Sequence, residues 1–235
     1  MALPKIDAPT YDLEMISTGE VIKFRPFLVK EQKILLMATE DGTPSGISNG
    51  VTQIVSNCTF GKIDATKVPI FEIENLFLRM REKSVGEIAE FNVLCTDEEC
   101  NGSTKTELDL RELSLDKSLV KDPTIKITDN LYVNMKYPSL DNLTQLQDLN
   151  NVEDNFNFLV SCIDTIEYNG EIIDAKTSSR EELQEFIESM TQAQFDKIKS
   201  FFTDMPRVVG QLNYECVVCG KQNVREISGL QNFLA

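Results

Sequence analysis

Histidine is absent from all 235 residues. That removes imidazole general bases, histidine-based nucleophile triads and histidine metal ligands together. Clustered lysine and arginine are also missing: 38 acidic residues stand against 23 basic ones, a net charge of −15. A phosphate backbone is held by grouped cations, so nucleic acid is not expected as the main ligand. No apolar run reaches the length of a bilayer-crossing helix, and the opening Met1-Ala2-Leu3-Pro4-Lys5-Ile6-Asp7 lacks the basic-then-apolar order of a signal peptide. There is no internal repeat and no low-complexity linker. The Gly42-Thr43-Pro44-Ser45-Gly46 stretch carries no Walker-type lysine, so no phosphate loop is expected. Carboxylates are plentiful, but no pair shows diagnostic spacing, which leaves a carboxylate-based hydrolase without support. The exclusions point to binding or assembly, and no enzyme is expected.

Six cysteines are present, and four of them fall in two pairs. Cys95 and Cys100 form C-x4-C around the acidic Asp97, Glu98 and Glu99; Cys216 and Cys219 form C-x2-C, followed by Gly220. Four thiolates complete a tetrahedral zinc site, and in a reducing compartment metal-bound or reduced cysteines are more common than bridged ones. The expected cofactor is therefore a structural Zn2+ held by Cys95, Cys100, Cys216 and Cys219. Two disulfides, or four unrelated thiols, are the alternatives. A full thiolate set leaves no open position for a reacting water. The site would be net anionic, so backbone N–H groups or Lys221 should help neutralise it. Cys58 and Cys162 fall on apolar stripes and read as core residues.

Apolar periodicity predicts an α+β chain. Tyr11, Leu13 and Met15 alternate with acids, and 21–25 return as the second strand of an N-terminal hairpin. Helices are expected over 30–39, 47–58 and 69–83. Ile70, Ile73, Leu76, Phe77 and Met80 form the buried stripe of the third, while Phe71 and Leu78 fall off it, which suggests cover on two sides. Residues 86–137 read as a small antiparallel meander. A helical segment of about 140–207 follows, with helices over 140–149 and 152–165. An Asn169-Gly170 hairpin turn comes next, then two helices opened by capping boxes at Ser179/Glu182 and Thr191/Gln194. A C-terminal hairpin around the second cysteine pair is joined to the meander by the metal, and 229–234 form a short apolar tail. Two domains are expected, 1–85 and 86–235.

Several stretches resemble a family of baseplate hub proteins from T-even-like, contractile-tailed phages. They are Pro4-Lys5-Ile6-Asp7-Ala8-Pro9-Thr10-Tyr11, the run of residues 24–36 with its Arg-Pro-Phe-Leu-Val-Lys-Glu core, residues 76–87, and the Cys216-x-x-Cys219-Gly220 ending with Gly229-Leu230-x-x-Phe233. The resemblance implies a tail baseplate hub assembly protein, chaperone-like or structural, that binds other hub or tape-measure proteins. It also implies action in the host cytoplasm during tail assembly, with a place in the virion baseplate and a three-fold or six-fold homo-oligomer as further options. It supplies no catalytic residue. Within residues 24–33, Phe24, Arg25, Phe27, Lys30 and Lys33 are candidates for partner binding; the same residues read equally as a strand-to-helix corner packed for stability. From a different class, a zinc-ribbon regulator contacting nucleic acid or polymerase would need a basic face beside the cysteines.

Overall fold

The structure, a computed structural model, describes residues 6–144 and 151–229. The chain forms two compact units. The larger comprises Met1–Asp64, Phe71–Asp116 and Arg207–Ala235; the smaller comprises Ala65–Ile70 and Lys117–Pro206. The boundary expected after residue 85 falls inside the larger unit, because the chain leaves that unit near residue 116 and returns to it at residue 207.

The larger unit begins with the expected hairpin, β1 (Tyr11–Glu14) and β2 (Val21–Phe24), paired Tyr11 to Phe24. Helix α1 (Val29–Asp41) ends where Gly42 turns left-handed at φ 64°, a conformation glycine reaches without strain. Helix α2 (Pro44–Cys58) begins three residues before its expected start: the Thr43 hydroxyl accepts the Gly46 N–H and Pro44 occupies the first turn, where a missing N–H costs nothing. Helix α3 (Ile70–Val85) is buried almost all round. Ile73, Leu76, Phe77 and Met80 are sealed, and so are Phe71 and Leu78 from off the stripe.

Strands β3 (Ile88–Leu94) and β4 (Ser103–Asp109) pair as a hairpin from Ile88–Asp109 to Leu94–Ser103. A short strand β5 (Ser114–Leu115) then pairs with a later one, β10 (Val208–Glu215), which in turn pairs with β11 (Gln222–Ser228). Gly210 of β10 is the point of closest approach: a Cβ there would lie 2.2 Å from Leu113 Cδ2.

The smaller unit contains β6 (Thr124–Thr128), β7 (Leu131–Met135), α4 (Leu140–Thr144), α5 (Val152–Ser161), β8 (Ile163–Tyr168), β9 (Glu171–Asp174), α6 (Arg180–Glu188) and α7 (Gln192–Thr203). Its four strands form one antiparallel meander in the order β6-β7-β8-β9. The chain thus contains the central meander, but over residues 124–174. The stretch expected to make one sheet over 86–137 is divided among three, because β3 pairs only with β4, β5 pairs with β10, and β6 and β7 join β8 and β9.

Helix α5 also stops sooner than its apolar spacing suggested, at Ser161; the β-branched Ile163, Thr165 and Ile166 join β8. Such residues pack well on a pleated surface. The turn between β8 and β9 has Asn169 at φ 53° and Gly170 at φ 85°, as a two-residue hairpin loop requires. Both expected capping boxes are formed, at Ser179/Glu182 and Thr191/Gln194. Val133, Cys162, Ile163, Ile187 and Ile198 make the core, with Phe156 stacked on Phe195 at 5.2 Å. The remainder of the helix expected over 140–149 and most of the tail at 229–234 lie outside the described residues. Among the described residues no helix is long and apolar enough to cross a membrane.

Candidate metal centre

The two cysteine pairs sit at the tips of two hairpins of the larger unit. At the first tip the Cys95 N–H donates to the Gly102 carbonyl at 2.9 Å, which closes the loop beyond the Leu94–Ser103 pair. At the second, beyond the Glu215–Gln222 pair, Cys216 N–H donates to Lys221 O and Gly220 N–H to Cys216 O, both at 2.9 Å. Gly220 has φ 71°, so the glycine after the C-x2-C pair makes the knuckle turn possible.

Side chains from both hairpins hold the tips together. Tyr214 Oη donates to Leu94 O at 2.5 Å, and Val217 N–H donates to Thr104 Oγ1 at 3.2 Å. Buried Asn223 accepts from the N–H and the hydroxyl of Thr96 at 3.0 and 2.6 Å.

The result brings all four sulfurs within 4.8 Å of one another. Cys95 Sγ lies 3.7 Å from Cys219 Sγ, and Cys100 Sγ lies 3.7 Å from Cys216 Sγ. Zinc–sulfur bonds of about 2.3 Å in a tetrahedron place neighbouring sulfurs about 3.8 Å apart. A disulfide would hold them at about 2.05 Å, and all four thiols are free. These two separations match those of zinc ligands, and the four sulfurs together could hold a metal ion.

The backbone supports the same conclusion. Each sulfur receives the N–H of the residue two positions on: Asp97 to Cys95, Gly102 to Cys100, Val218 to Cys216 and Lys221 to Cys219. Cys216 also receives its neighbour Cys219 N–H. Such donors stabilise thiolates over thiols. The effect is plainest at Cys216, where the N–H groups of Cys219 and Val218 bring the thiol down to about 6. Cys95 is raised instead: the Asp97 N–H acts downward, but burial and the sulfurs of Cys219 and Cys216 outweigh it. Thiolates gathered this closely repel one another, and a divalent cation among them would relieve that repulsion.

The expected neutralisation by Lys221 is indirect, since its Nζ lies 3.7 Å from Asp97 Oδ2. Asp97, Glu98 and Glu99 line the first loop, so the surface beside the sulfurs is acidic there. Three supporting residues carried no sequence signal. Asn223 and Tyr214 act across more than a hundred residues. Gly102 matters because a Cβ there would sit 2.8 Å from Cys216 Sγ and 2.9 Å from Val218 Cγ2. Cys58 and Cys162 stand apart from the cluster; burial first of all pushes their thiols up, to about 12 and about 11.

The residues considered for partner binding are split by the fold. Phe24 and Arg25 are buried. The Arg25 guanidinium meets Glu31 through Nη1–Oε2 at 3.1 Å and Nη2–Oε1 at 3.0 Å, and Glu31 Oε2 also accepts the Leu28 N–H at 2.9 Å. Phe27 is half-buried, its ring 5.1 Å from that of Phe77. Lys30 and Lys33 are exposed on α1. Lys33 shares one face of that helix with the exposed Val29, Leu36 and Met37, four and three to four residues away.

Comparison with known proteins agrees with the sequence resemblance. The family described as T4 bacteriophage base plate protein matches residues 8–235. The chain is 26% identical over 224 residues to the "Baseplate hub assembly protein gp26" of Enterobacteria phage T4, covering 95% of this chain and 97% of that protein. No solved structure matches the chain significantly. With its hairpins, helices and cysteine cluster spread along the matched length, the chain belongs to the T4 bacteriophage base plate protein family.

Proposed function

We propose that this protein is a baseplate hub assembly protein. It would act in the host cytoplasm by binding other hub or tape-measure proteins, with a structural zinc ion holding its larger unit in shape. The observation that carries this reading is the likeness to a hub assembly protein along nearly the whole of both chains. The cysteine geometry supports the metal: four sulfurs at ligand spacing, each met by a backbone N–H. When bound, the ion would supply a fixed tetrahedral crosslink and no reacting position.

Within this reading the buried Phe24 and Arg25 serve the corner, Lys30 pairs with Glu31 at 3.4 Å from an exposed position, and Lys33 is exposed to a partner. Affinity purification of the tagged protein from infected cells is expected to recover hub or tape-measure proteins. Recovery of none of them would overturn the assembly role. Native mass spectrometry with metal analysis is expected to give one zinc per chain; a metal-free protein after reducing purification would overturn the metal site.

A further inference from the structure

The smaller unit has a feature at odds with the composition of the chain. A cavity of about 220 Å³ is lined by Lys136, Lys176 and Arg180, together with Asn157, Ser161 and Ser178, and by no carboxylate. Acids outnumber bases by 38 to 23 in this protein, yet none of these three cations makes an ion pair among the described residues. Other cations are paired, as Lys23 is with Asp12 and Lys199 with Asp196; what sets this hollow apart is that three cations line one cavity together.

Arg180 is also held in position. Asn157 Oδ1 accepts its Nε–H at 3.1 Å and a Gln184 Nε2–H at 2.5 Å. The terminal nitrogens of the guanidinium stay available for the two parallel bonds that a carboxylate accepts. Arg180 is the first residue of α6, so the positive end of that helix adds to the local field.

A second cavity of about 360 Å³ adjoins the first, and Ser178 and Leu183 line both. Its other walls are mainly apolar: Leu131, Ile166, Tyr168, Ile173 and Phe186. The one acid on its wall, Glu182, accepts the Ser179 N–H at 2.7 Å in the capping box of α6. A cationic hollow and an apolar hollow therefore share a wall.

We propose that the two cavities form one docking site for a segment of a partner protein that carries a carboxylate beside a bulky apolar side chain. The occupant is set by charge complementarity. Three uncompensated cations select an anionic group, and the rest of a −15 surface repels it, so an acidic segment is directed here. The apolar cavity supplies the contact area that a lone ion pair near water lacks. This inference rests on the reading that the chain acts through protein partners.

The test uses fluorescein-labelled seven-residue peptides with central Asp-Phe, Asn-Phe or Asp-Ala, titrated into the full-length protein at fixed ionic strength. The Asp-Phe peptide is expected to bind saturably, and the other two about tenfold or more weakly. Lys176→Glu/Arg180→Glu, at two exposed positions, is expected to abolish binding with unchanged thermal stability; Lys136→Gln is expected to weaken it. Equal binding of all three peptides, saturable binding of none, or indifference to the charge changes would overturn the proposal. So would tight competition by inorganic phosphate, which would mark a site for a free anion. If wild-type protein recovers baseplate partners from infected cells and the charge-reversed variant recovers them equally, the docking site fails while the assembly role stands. If wild type recovers none, the assembly role fails and the peptide titration still decides the site.

Discussion

Gly102 lies two residues after Cys100, where a single methyl group would press on Cys216 Sγ and Val218. Gly102→Ala is expected to weaken zinc binding by about tenfold or more, since ligand atoms tolerate displacements of only about 0.2 Å. The metal-free protein should barely change, and competition against a chromogenic chelator would read the difference. Glu31 is a second residue whose role is local and large. Its side chain is 0% exposed and its partner Arg25 only 9%. Glu31→Gln would leave a buried guanidinium without its counter-charge, and the expected loss is about 3 kcal/mol or more in denaturant melts. At Glu31 burial alone would raise the carboxyl, but hydrogen bonds from Arg25 and Leu28 and the nearby cations hold it below its usual 4.5. A group whose folded value is depressed stabilises the fold above its unfolded value and loses that contribution as the pH falls through the folded one. Stability should therefore decline progressively below about pH 4.5. Glu31→Gln should flatten that decline.

At the scale of elements, the sequence was most informative where one short-range rule governs. Capping boxes at Ser179 and Thr191, the Asn169-Gly170 turn and the hairpin of residues 11–24 all follow from contacts within a few positions. The end of α5 was not legible, because Cys162, Ile163 and Ile166 satisfy a helical stripe and a strand face alike; the pairing of Ile163 with Met135 decides it. The four-cysteine cluster was legible in C-x4-C and C-x2-C-G, but its supports were not: nothing at Asn223 announces a bond to Thr96, 127 positions away. Gly170→Val is expected to cost about 1–2 kcal/mol, because φ 85° is hard for a β-branched residue. A drop in melting temperature with intact zinc content would show that the effect is confined to the hairpin.

At the scale of the molecule, the two units should respond differently to loss of the proposed ion, since all four clustered cysteines belong to the larger one. Chelation, or Cys216→Ser, is expected to speed amide exchange in β3, β4, β10 and β11 by orders of magnitude, with far smaller changes in β6–β9. Uniform exchange across both units would contradict the division. The division itself was hidden from the sequence for a physical reason: each unit is assembled from separated stretches, and local periodicity cannot report which stretches come together.

The positions of the ligands also set an order of events during synthesis. Cys95 and Cys100 leave the ribosome long before their partners, and Cys216 and Cys219 follow more than a hundred residues later. Until then the first pair can offer an ion only two sulfurs. The intervening stretch, Lys117–Pro206, which with Ala65–Ile70 makes up the smaller unit, contains a full meander and its core and none of the four clustered cysteines. A chain truncated anywhere before Cys219 lacks the fourth thiol, so capture of an ion by all four sulfurs would wait until that residue is made.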